Sequence, residues 1–319
     1  MNEVTAAERD ALLRAAVAAP SMHNTQPWRF RFAGRTVEVY RDRRRELPAE
    51  DPSHRMLFVS LGAAILNLRV AAAALGMGSE VRHLMDQQRP DLVAVVELGG
   101  VPVESMARLA PYLTERRTNR EPFSETRLPA QVRVELDLCA RVEGAVLQWL
   151  DKPSRRWWLR IATNEATTAD DEDAARTAER RQWVGGDRDV DGVPSSALGS
   201  RIAGGNPLKR ELAATEADAE RPVATFEQEP QLAVLATRYD GPIEWLRAGQ
   251  ALEHVLLEAT ARGVATSLLN QAIEHEELRL QINDPLGPWQ RPQAVIRFGY
   301  GSDVPATPRR PIGDVLIGE

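Results

Sequence analysis

The sequence predicts an α+β protein in which one chain contains two copies of the same unit. Two alanine-rich apolar stretches, residues 61–81 and 248–268, each carry two glycines fourteen residues apart. Each stretch precedes an apolar run that ends in glycine, LVAVVELGG and PQAVIRFGYG, which is typical of a buried strand. A unit present only twice favours tandem copies packed about a local twofold axis, an intramolecular pseudo-dimer, over a solenoid. A chance likeness between two alanine-rich helices is the alternative.

The predicted elements follow the same order in both copies. Each copy begins with a helix, expected at residues 6–18 in the first and 130–141 in the second. The long alanine-rich helix and the glycine-terminated strand come next. We therefore assign residues 1–110 to the first copy, with a degenerate phosphate site, and residues 111–319 to the second.

The two glycines of each long helix have separate expected roles. Gly62 and Gly249 are expected to open the helices. Gly76 and Gly263 are expected just beyond the C-termini, where glycine adopts a left-handed backbone without steric cost.

The second copy carries an insertion at about residues 160–240. Between its first and long helices the first copy uses about 27 residues from Arg29, and the second about 84 from Leu159. Segments of this length inside compact domains are usually functional lids or disordered. Residues 164–207 begin as a charged helical stretch and end in turn residues, and Trp183 gives them apolar surface. We expect an ordered lid, with disorder as the alternative.

Composition excludes several classes of protein. The hydrophobic share of 43% and charged share of 27% are those of an ordinary globular protein. A net charge of −6 argues against general nucleic-acid binding. We expect no signal peptide, no export and no membrane-spanning run. The single cysteine, Cys139, suits a reducing cytoplasm and is expected to be a buried apolar residue rather than a nucleophile.

Familiar catalytic motifs are absent from the sequence. There is no Walker loop, Rossmann glycine fingerprint, nucleophile elbow or HExxH motif. The histidines do not occur at metal-ligand spacings, and we expect surface or capping roles for them and no bound metal. The five histidines are His23, His54, His83, His254 and His275.

Three sequence stretches remain as candidates for a site. The first copy has APSMHNTQPWRF after its first helix, and the second copy is bracketed by RRTNR at residues 116–120 and PRRP at residues 308–311. If its ends meet, the guanidinium groups would form a receptor for a phosphate dianion. A third basic run, residues 41–47, interleaves acidic residues and is expected to be solvated surface.

Each copy lacks what the other keeps. The first begins NEVTAAERD with no arginine cluster, and the second has lost the polar Ser/Asn/Gln set after its first helix. This complementary loss predicts one site at the interface between the copies and a vestigial second one. Helix capping and turn formation remain the alternative role of the polar stretch.

These motifs, with GAAILNLRVAAAALGMG and RFGYGSDVPATPRRPIGDVL, resemble the nitroreductase-like FMN flavoproteins, in particular their fused two-copy, Acg-type branch. The resemblance covers nearly the whole chain. It implies a nitroreductase-like fold, one FMN per chain, and a monomer with an internal pseudo-twofold axis, or a higher oligomer.

The resemblance also implies which residues hold the cofactor. The arginine segment and C-terminal arginines would bind the phosphate and ribityl chain, and the polar stretch would lie against the flavin. Residues after the second long helix would lie on the isoalloxazine, although the family's glycine-rich loop is replaced there by LLNQAIEHEE. The expected cofactor-binding residues are Pro20, Ser21, His23, Asn24, Gln26, Trp28, Arg29, Arg116, Arg117, Thr118, Arg120, Asn270, Gln271, Arg309 and Arg310.

The implied function is electron transfer from NADH or NADPH through FMN N5 to a nitro, quinone or activated-alkene acceptor, with no catalytic side chain. A second hypothesis is an FMN-sequestering protein with a closed lid and little turnover. A third is a binding module that has lost the flavin, which the retained arginine clusters disfavour.

Overall fold

The computed structural model describes residues 3–83, 88–203, 218, 220–286 and 290–318. Helices and antiparallel strands alternate along the chain, as the α+β prediction requires. The helices are α1 Ala6–Val17, α2 Arg55–Ala74, α3 Glu104–Ala107, α4 Ala130–Val142, α5 Pro153–Glu172, α6 Ala174–Trp183, α7 Pro242–Ala261, α8 Gln271–Glu274, α9 Glu276–Leu286 and α10 Ile312–Val315. The strands are β1 Trp28–Ala33, β2 Thr36–Arg41, β3 Ser79–His83, β4 Leu92–Leu98, β5 Val146–Trp149, β6 Arg201–Ile202, β7 Val223–Ala224, β8 Gln231–Thr237, β9 Ala265–Leu268 and β10 Arg291–Gly299.

Two four-stranded sheets have the same topology. Their strand orders are β1-β2-β4-β3 and β5-β8-β10-β9, and each neighbouring pair is antiparallel. In each sheet, the spatial order of the strands is the first, second, fourth and third strand in chain order. The central strands β4 and β10 are almost continuously buried, which explains their apolar sequence. The predicted two-copy α+β fold is confirmed, while the boundary at residue 110 stays a prediction.

The first helix of each copy matches its prediction. Helix α1 starts at a capping box, in which the Thr5 side chain accepts from the Glu8 amide and the Glu8 carboxylate accepts from the Thr5 amide. Helix α4 covers the residues expected for the second copy. Cys139 on α4 is buried as predicted, and burial raises the pKa of its thiol to about 12.

The roles predicted for the glycines of the long helices are confirmed for the C-terminal pair and wrong for the other pair. Gly76 and Gly263 follow the C-termini with φ of 78° and 66°, as expected. Gly62 and Gly249 do not open their helices, because α2 and α7 each begin seven residues earlier. Each glycine is instead the eighth residue of its helix, at the contact between the two helices.

Helices α2 and α7 pack against each other at the centre of the molecule through these glycines. A Cβ at Gly249 would lie 2.0 Å from the carbonyl oxygen of Val59, and one at Gly62 would lie 2.1 Å from that of Leu246. Only glycine lets the two backbones approach this closely. The helix from one copy is thereby joined directly to the equivalent helix of the other.

Helix α2 meets the length and composition of a membrane span, which the sequence analysis did not expect. It is the single such helix among the described residues, with a mean hydropathy of 1.8. In this fold 94% of that stretch is buried. Its apolar surface is therefore explained by packing against α1 and α7 in the core.

The insertion contains both a core helix and a covering segment. Helix α5 buries Leu159, Ala162 and Ala166 against β8 and β10, so the start of the expected lid belongs to the core of the second copy. Helix α6 and the segment that follows it lie over the first copy instead. The expected lid ends at residue 207, and its residues 204–207 lie outside those described.

Candidate active site

The polar loop, residues 20–26, has an unusual backbone. His23, Asn24 and Gln26 have φ of 47°, 55° and 53°, in the left-handed region that few residues other than glycine adopt. The loop begins directly after α1 and ends where β1 starts. Its Ser21 hydroxyl accepts from the Gln26 amide at 2.9 Å, closing the loop on itself.

This loop forms one wall of the central cleft, which runs between the two copies. The cleft has a ring end and an arginine end, and five residues belong to both: Pro20, Ser21, His23, Thr118 and Arg120. The ring end is completed by Met22, Met56, Val59, Ser60, Ala63, Leu252, Ser267, Leu268, Leu269, Asn270, Gln271 and Glu274. The arginine end includes Ala18, Asn24, Thr114, Arg116, Arg117, Val193, Ser196, Ala197, Thr307 and Arg309. Eleven of the fifteen predicted site residues therefore line one cleft.

Three arginines converge at the arginine end. The guanidinium groups of Arg116 and Arg309 both donate to the carbonyl oxygen of Ala18, at 3.2 Å and 3.1 Å. Ala18 is the C-cap of α1, where the helix dipole favours positive charge. Burial and the neighbouring Arg116 lower the pKa of Arg309 to about 9, and burial also lowers the pKa of Arg117. The cluster therefore carries unfavourable positive charge that an anion would neutralise.

A buried carboxylate lies below this cluster. Glu253 on α7 is fully buried, and its Oε1 is 3.2 Å from Arg116 Nε. Burial raises the pKa of Glu253 to about 7, against the opposing effect of Arg116. The sequence pattern did not single out Glu253, because it is one of several charged residues in α7.

The arginine segment is held against the second sheet. Thr118 forms a parallel bridge with Thr266, and the Asn119 amide donates to the Thr266 carbonyl at 2.8 Å. Arg120 donates to the carbonyl of Ala197 at 2.9 Å, and burial lowers its pKa to about 10. The segment thus lies between β9 and the insertion, facing the cleft.

Asn270 and Gln271 lie at the ring end, where the weaker part of the sequence match placed them. The Asn270 Oδ1 accepts from the Val295 amide at 2.9 Å, which fixes the turn between β9 and α8. Gln271 Nε2 donates to the Thr167 hydroxyl at 2.7 Å, while its Oε1 is buried without a hydrogen-bond partner. An unpartnered buried acceptor in a cleft wall is suited to a ligand donor.

Four predicted site residues do not line the central cleft. Gln26 accepts from the Arg310 amide at 2.8 Å and donates to Val190, so its side chain is used within the protein. Trp28 is fully buried in the core behind the loop, so its side chain can support the loop but cannot contact a ligand in the central cleft. Arg29 and Arg310 face another cleft, because residues in extended backbone alternate between two sides.

The covering segment, residues 183–199, begins at the last residue of α6 and covers the arginine end. Gly192 exchanges backbone and side-chain hydrogen bonds with Asn24, at 3.2 Å and 2.8 Å. Gln26 bonds the Val190 carbonyl at 2.9 Å, and Arg45 bonds Asp191 at 2.7 Å. This covering segment of the second copy is thus attached to the polar loop of the first.

An ionic network anchors α6 beside the ring end. His23 contacts the buried carboxylate of Glu50, and Arg180 donates to the same carboxylate at 2.7 Å. Arg180 also lies 3.2 Å from Asp170, which bonds His275 at 2.9 Å. His23 and His275 were expected at the surface or in caps, and in the fold each contacts a buried carboxyl group, that of Glu50 or Asp170. No group of three or more metal-ligating side chains occurs among the described residues.

Several cleft residues could not be identified from the sequence. Met56, Ser60 and Ala63 lie on one face of α2 at helical spacing, a pattern that also describes an ordinary core helix. Their contribution depends on the approach of α7, which brings Leu252 to the same wall.

Comparison with known proteins places the chain in a family. No family model matches it. It is 30% identical over 309 residues to a Mycobacterium tuberculosis protein named "Putative NAD(P)H nitroreductase acg", an alignment that covers 94% of this chain and 92% of the relative. A second protein of that organism, named "Putative NAD(P)H nitroreductase", is 28% identical over 320 residues, covering 96% and 90%.

Solved nitroreductases are more distant. A nitroreductase with bound FMN from Bacteroides fragilis is 13% identical and covers 66% of this chain and 98% of its own, with a TM-score of 0.40. The FMN-dependent nitroreductase NfnB from Mycobacterium smegmatis, solved with NADPH, is 15% identical, covers 67% and 99%, and has a TM-score of 0.40. The sequence relatives carry the assignment: the chain belongs to the nitroreductase-like family, in the branch of the Acg protein.

Proposed function

We propose that this protein is an FMN-dependent oxidoreductase whose cofactor binds in the central cleft. NADH or NADPH would supply electrons, and a nitro, quinone or activated-alkene compound would accept them. The observation that carries this proposal is the cleft itself, which joins a polar and apolar ring end to a cluster of arginines. Membership of the nitroreductase-like family supports the same reaction class.

The arginine end fits the FMN phosphate. Arg116, Arg117 and Arg309 bring three positive charges together, and the nearby carboxyl groups of Glu253 and Glu115 are too few to balance them. A phosphate dianion would restore the balance and accept charge-assisted hydrogen bonds from more than one guanidinium group. Thr118, at the junction of the two ends, would lie near the ribityl chain.

The ring end fits an isoalloxazine. Apolar side chains such as Val59 and Leu252 supply a surface for a flat ring, and Ser21, Asn270 and Gln271 supply polar groups around it. FMN, when bound, supplies the redox chemistry at its N5 atom. The polar groups of the cleft would orient the ring and stabilise negative charge that develops on it, because fixed donors need little rearrangement. No side chain is assigned as nucleophile or metal ligand.

We expect one FMN per chain. Gln250 follows Gly249 as Ala63 follows Gly62, so the two residues occupy equivalent positions. Ala63 lines the central cleft, whereas Gln250 accepts from Arg69 at 2.9 Å and bonds His83 at 3.0 Å. Arg69 also donates to Glu143 at 2.5 Å. These contacts at the position equivalent to the wall of the central cleft support a single site. Chromatography of released flavin against protein checks the ratio, and two FMN per chain would contradict it.

Anaerobic titration tests the reaction. Purified protein loaded with FMN is mixed with NADH or NADPH while the visible flavin absorbance is followed. Bleaching by either donor, and recovery on adding a quinone or nitroaromatic compound, is the expected result. Protein that is colourless and takes up no FMN would contradict both flavin functions.

An FMN-sequestering role is the second candidate, and the covering segment favours it. Residues 183–199 are hydrogen-bonded to the polar loop and line the arginine end. A segment closed in this way would retain FMN and restrict a nicotinamide donor. FMN that binds tightly but is not reduced by NADH or NADPH would identify storage.

A further inference from the structure

A second cleft lies on the outer side of the polar loop, away from the central cleft. It contains the two arginines that the family resemblance would place at the flavin, Arg29 and Arg310. We call it the outer cleft. Its lining residues are Arg29, Arg44, Arg45, Trp183, Arg310, Gly313, Asp314 and Leu316.

Two of the four outer-cleft arginines are neutralised by carboxylates. Arg44 binds Asp42 through two hydrogen bonds of 2.9 Å and 3.0 Å. Arg45 binds Asp191 at 2.7 Å and also donates to the Thr25 carbonyl at 2.9 Å. Arg310 shares Asp42 with Arg44 at the longer distance of 3.7 Å, so Arg29 is the main source of excess positive charge.

The Arg29 side chain has no hydrogen bond or ion pair within the described part of the chain, and its Nε is buried. Its neighbour on the same face of β1, Arg31, instead binds Glu38 at 2.5 Å. An arginine held at a cleft wall without a partner can offer a complete guanidinium fork to a ligand.

Arg310 is the second available group. Its side chain is only 4% exposed, and its Nη atoms donate to the carbonyls of Gln26 and Asp314, at 3.1 Å and 2.9 Å. These bonds fix the guanidinium group, while its Nε is buried with no hydrogen-bond partner. Its nearest carboxylate, Asp42, is 3.7 Å away. The exposed carboxylate of Asp314 lies at the rim and would oppose an anion there.

We propose that the outer cleft is a binding site for a small phosphate monoester with an apolar body. Arg29 lies on β1, and Arg310 lies in the segment before α10. The two side chains can therefore bind different oxygens of a tetrahedral anion. Trp183 and the 40%-exposed Leu316 provide apolar surface beside them. The site is separate from the FMN site and does not depend on the proposed reaction.

Calorimetric titration with phenyl phosphate tests this proposal. The protein is first loaded with FMN and freed of excess flavin, so that the central cleft is occupied. Phenyl phosphate should bind at one site, and Arg29→Gln should weaken it about tenfold or more, as the loss of a charge-assisted contact predicts. Arg31→Gln, which removes the same charge from the same strand, should change the affinity less than about twofold.

A second variant and a second ligand test whether phenyl phosphate binds in the outer cleft through its phosphate group. Arg309→Ala, measured at an FMN concentration that keeps the central cleft occupied, should leave phenyl phosphate affinity unchanged, because Arg309 does not line the outer cleft. Loss of binding in Arg309→Ala but not in Arg29→Gln would overturn the proposal, because the ligand would then lie in the central cleft. Benzoate that binds as tightly as phenyl phosphate would overturn the assignment to a phosphate.

Discussion

At the residue scale, the polar loop holds three left-handed residues that are not glycine. Such residues cost about 1–3 kcal/mol each and persist where surrounding contacts determine them. The contacts here come from both copies: Asn24 donates to Gly192 and Pro308, at 2.8 Å and 3.0 Å, and Gln26 binds the Arg310 amide. These contacts therefore hold the loop in its strained conformation.

The arginine cluster gives the first residue-scale prediction. Arg309→Ala or Arg117→Ala should weaken FMN binding about 10- to 150-fold, because each removes a charge-assisted contact worth about 1.5–3 kcal/mol. Titration by flavin fluorescence measures the affinity. Arg127→Ala is the control, since Arg127 pairs with Glu229 at the exposed surface. Unchanged affinity in both cluster variants would show that the arginines do not bind the phosphate.

Glu253 gives a prediction of pH dependence. Its pKa is raised from 4.5 to about 7, so the folded protein favours the neutral carboxyl. Stability from this group is fully present below about pH 4.5 and is lost as pH rises through about 7, because ionisation is costlier in the folded state. Glu253→Gln should therefore gain stability relative to the parent protein at pH 8 more than at pH 5. Urea unfolding at both pH values measures this, and an equal effect at both would contradict the raised pKa.

Adjacent residues show what the sequence could and could not predict about the site. The PRRP motif predicts both arginines at the cofactor site, but Arg309 lines the central cleft, while Arg310 bonds β1 and lines the outer cleft. In extended backbone a shift of one residue reverses the side, and the sequence does not reveal that register. Glu253 was missed because its role exists only once α7 lies below the arginine segment.

At the element scale, the pairing of α2 and α7 organises the whole fold. The sequence predicted both helices and their C-terminal glycines from local signals, which act within one turn. It could not predict the function of Gly62 and Gly249, because that function arises from contact between helices about 190 residues apart in the chain. The sequence therefore revealed the repeat but not the helix contact that requires Gly62 and Gly249.

This contact gives an element-scale prediction. Gly249→Ala should destabilise the protein by about 1–3 kcal/mol or more, since its Cβ would lie 2.0 Å from the Val59 carbonyl oxygen and force the helices apart. Chemical unfolding measures the change. Gly313→Ala is a matched control, because nothing lies within 4 Å of its added Cβ. Equal stability of the two variants would show that α2 and α7 are not closely packed.

At the scale of the whole molecule, the asymmetry between the copies determines where chemistry can occur. The first copy contributes the polar loop and the N-terminal half of α2, and the second contributes the arginine segment and the turn after β9. The insertion then extends from the second copy back over the first. The central cleft and its cover thus arise from segments distributed over most of the chain.

The last prediction concerns whether this cover limits access to the flavin. Asp191→Ala removes the ion pair to Arg45 that attaches residues 183–199 beside the polar loop. If the segment is a lid, the variant should retain FMN and be reduced faster by dithionite and by NADPH, because opening limits access. Asp189→Ala, at an exposed neighbouring position, should not change either rate.

The two reductants distinguish a lid from a substrate pocket, because dithionite needs no binding site. If residues 183–199 instead help to bind the nicotinamide donor, Asp191→Ala should slow reduction by NADPH while dithionite reduction stays the same. Stopped-flow absorbance of the flavin measures both rates. Equal rates in parent and variant, with both reductants, would show that this attachment neither closes the cleft nor shapes a donor site, and the lid hypothesis would be wrong.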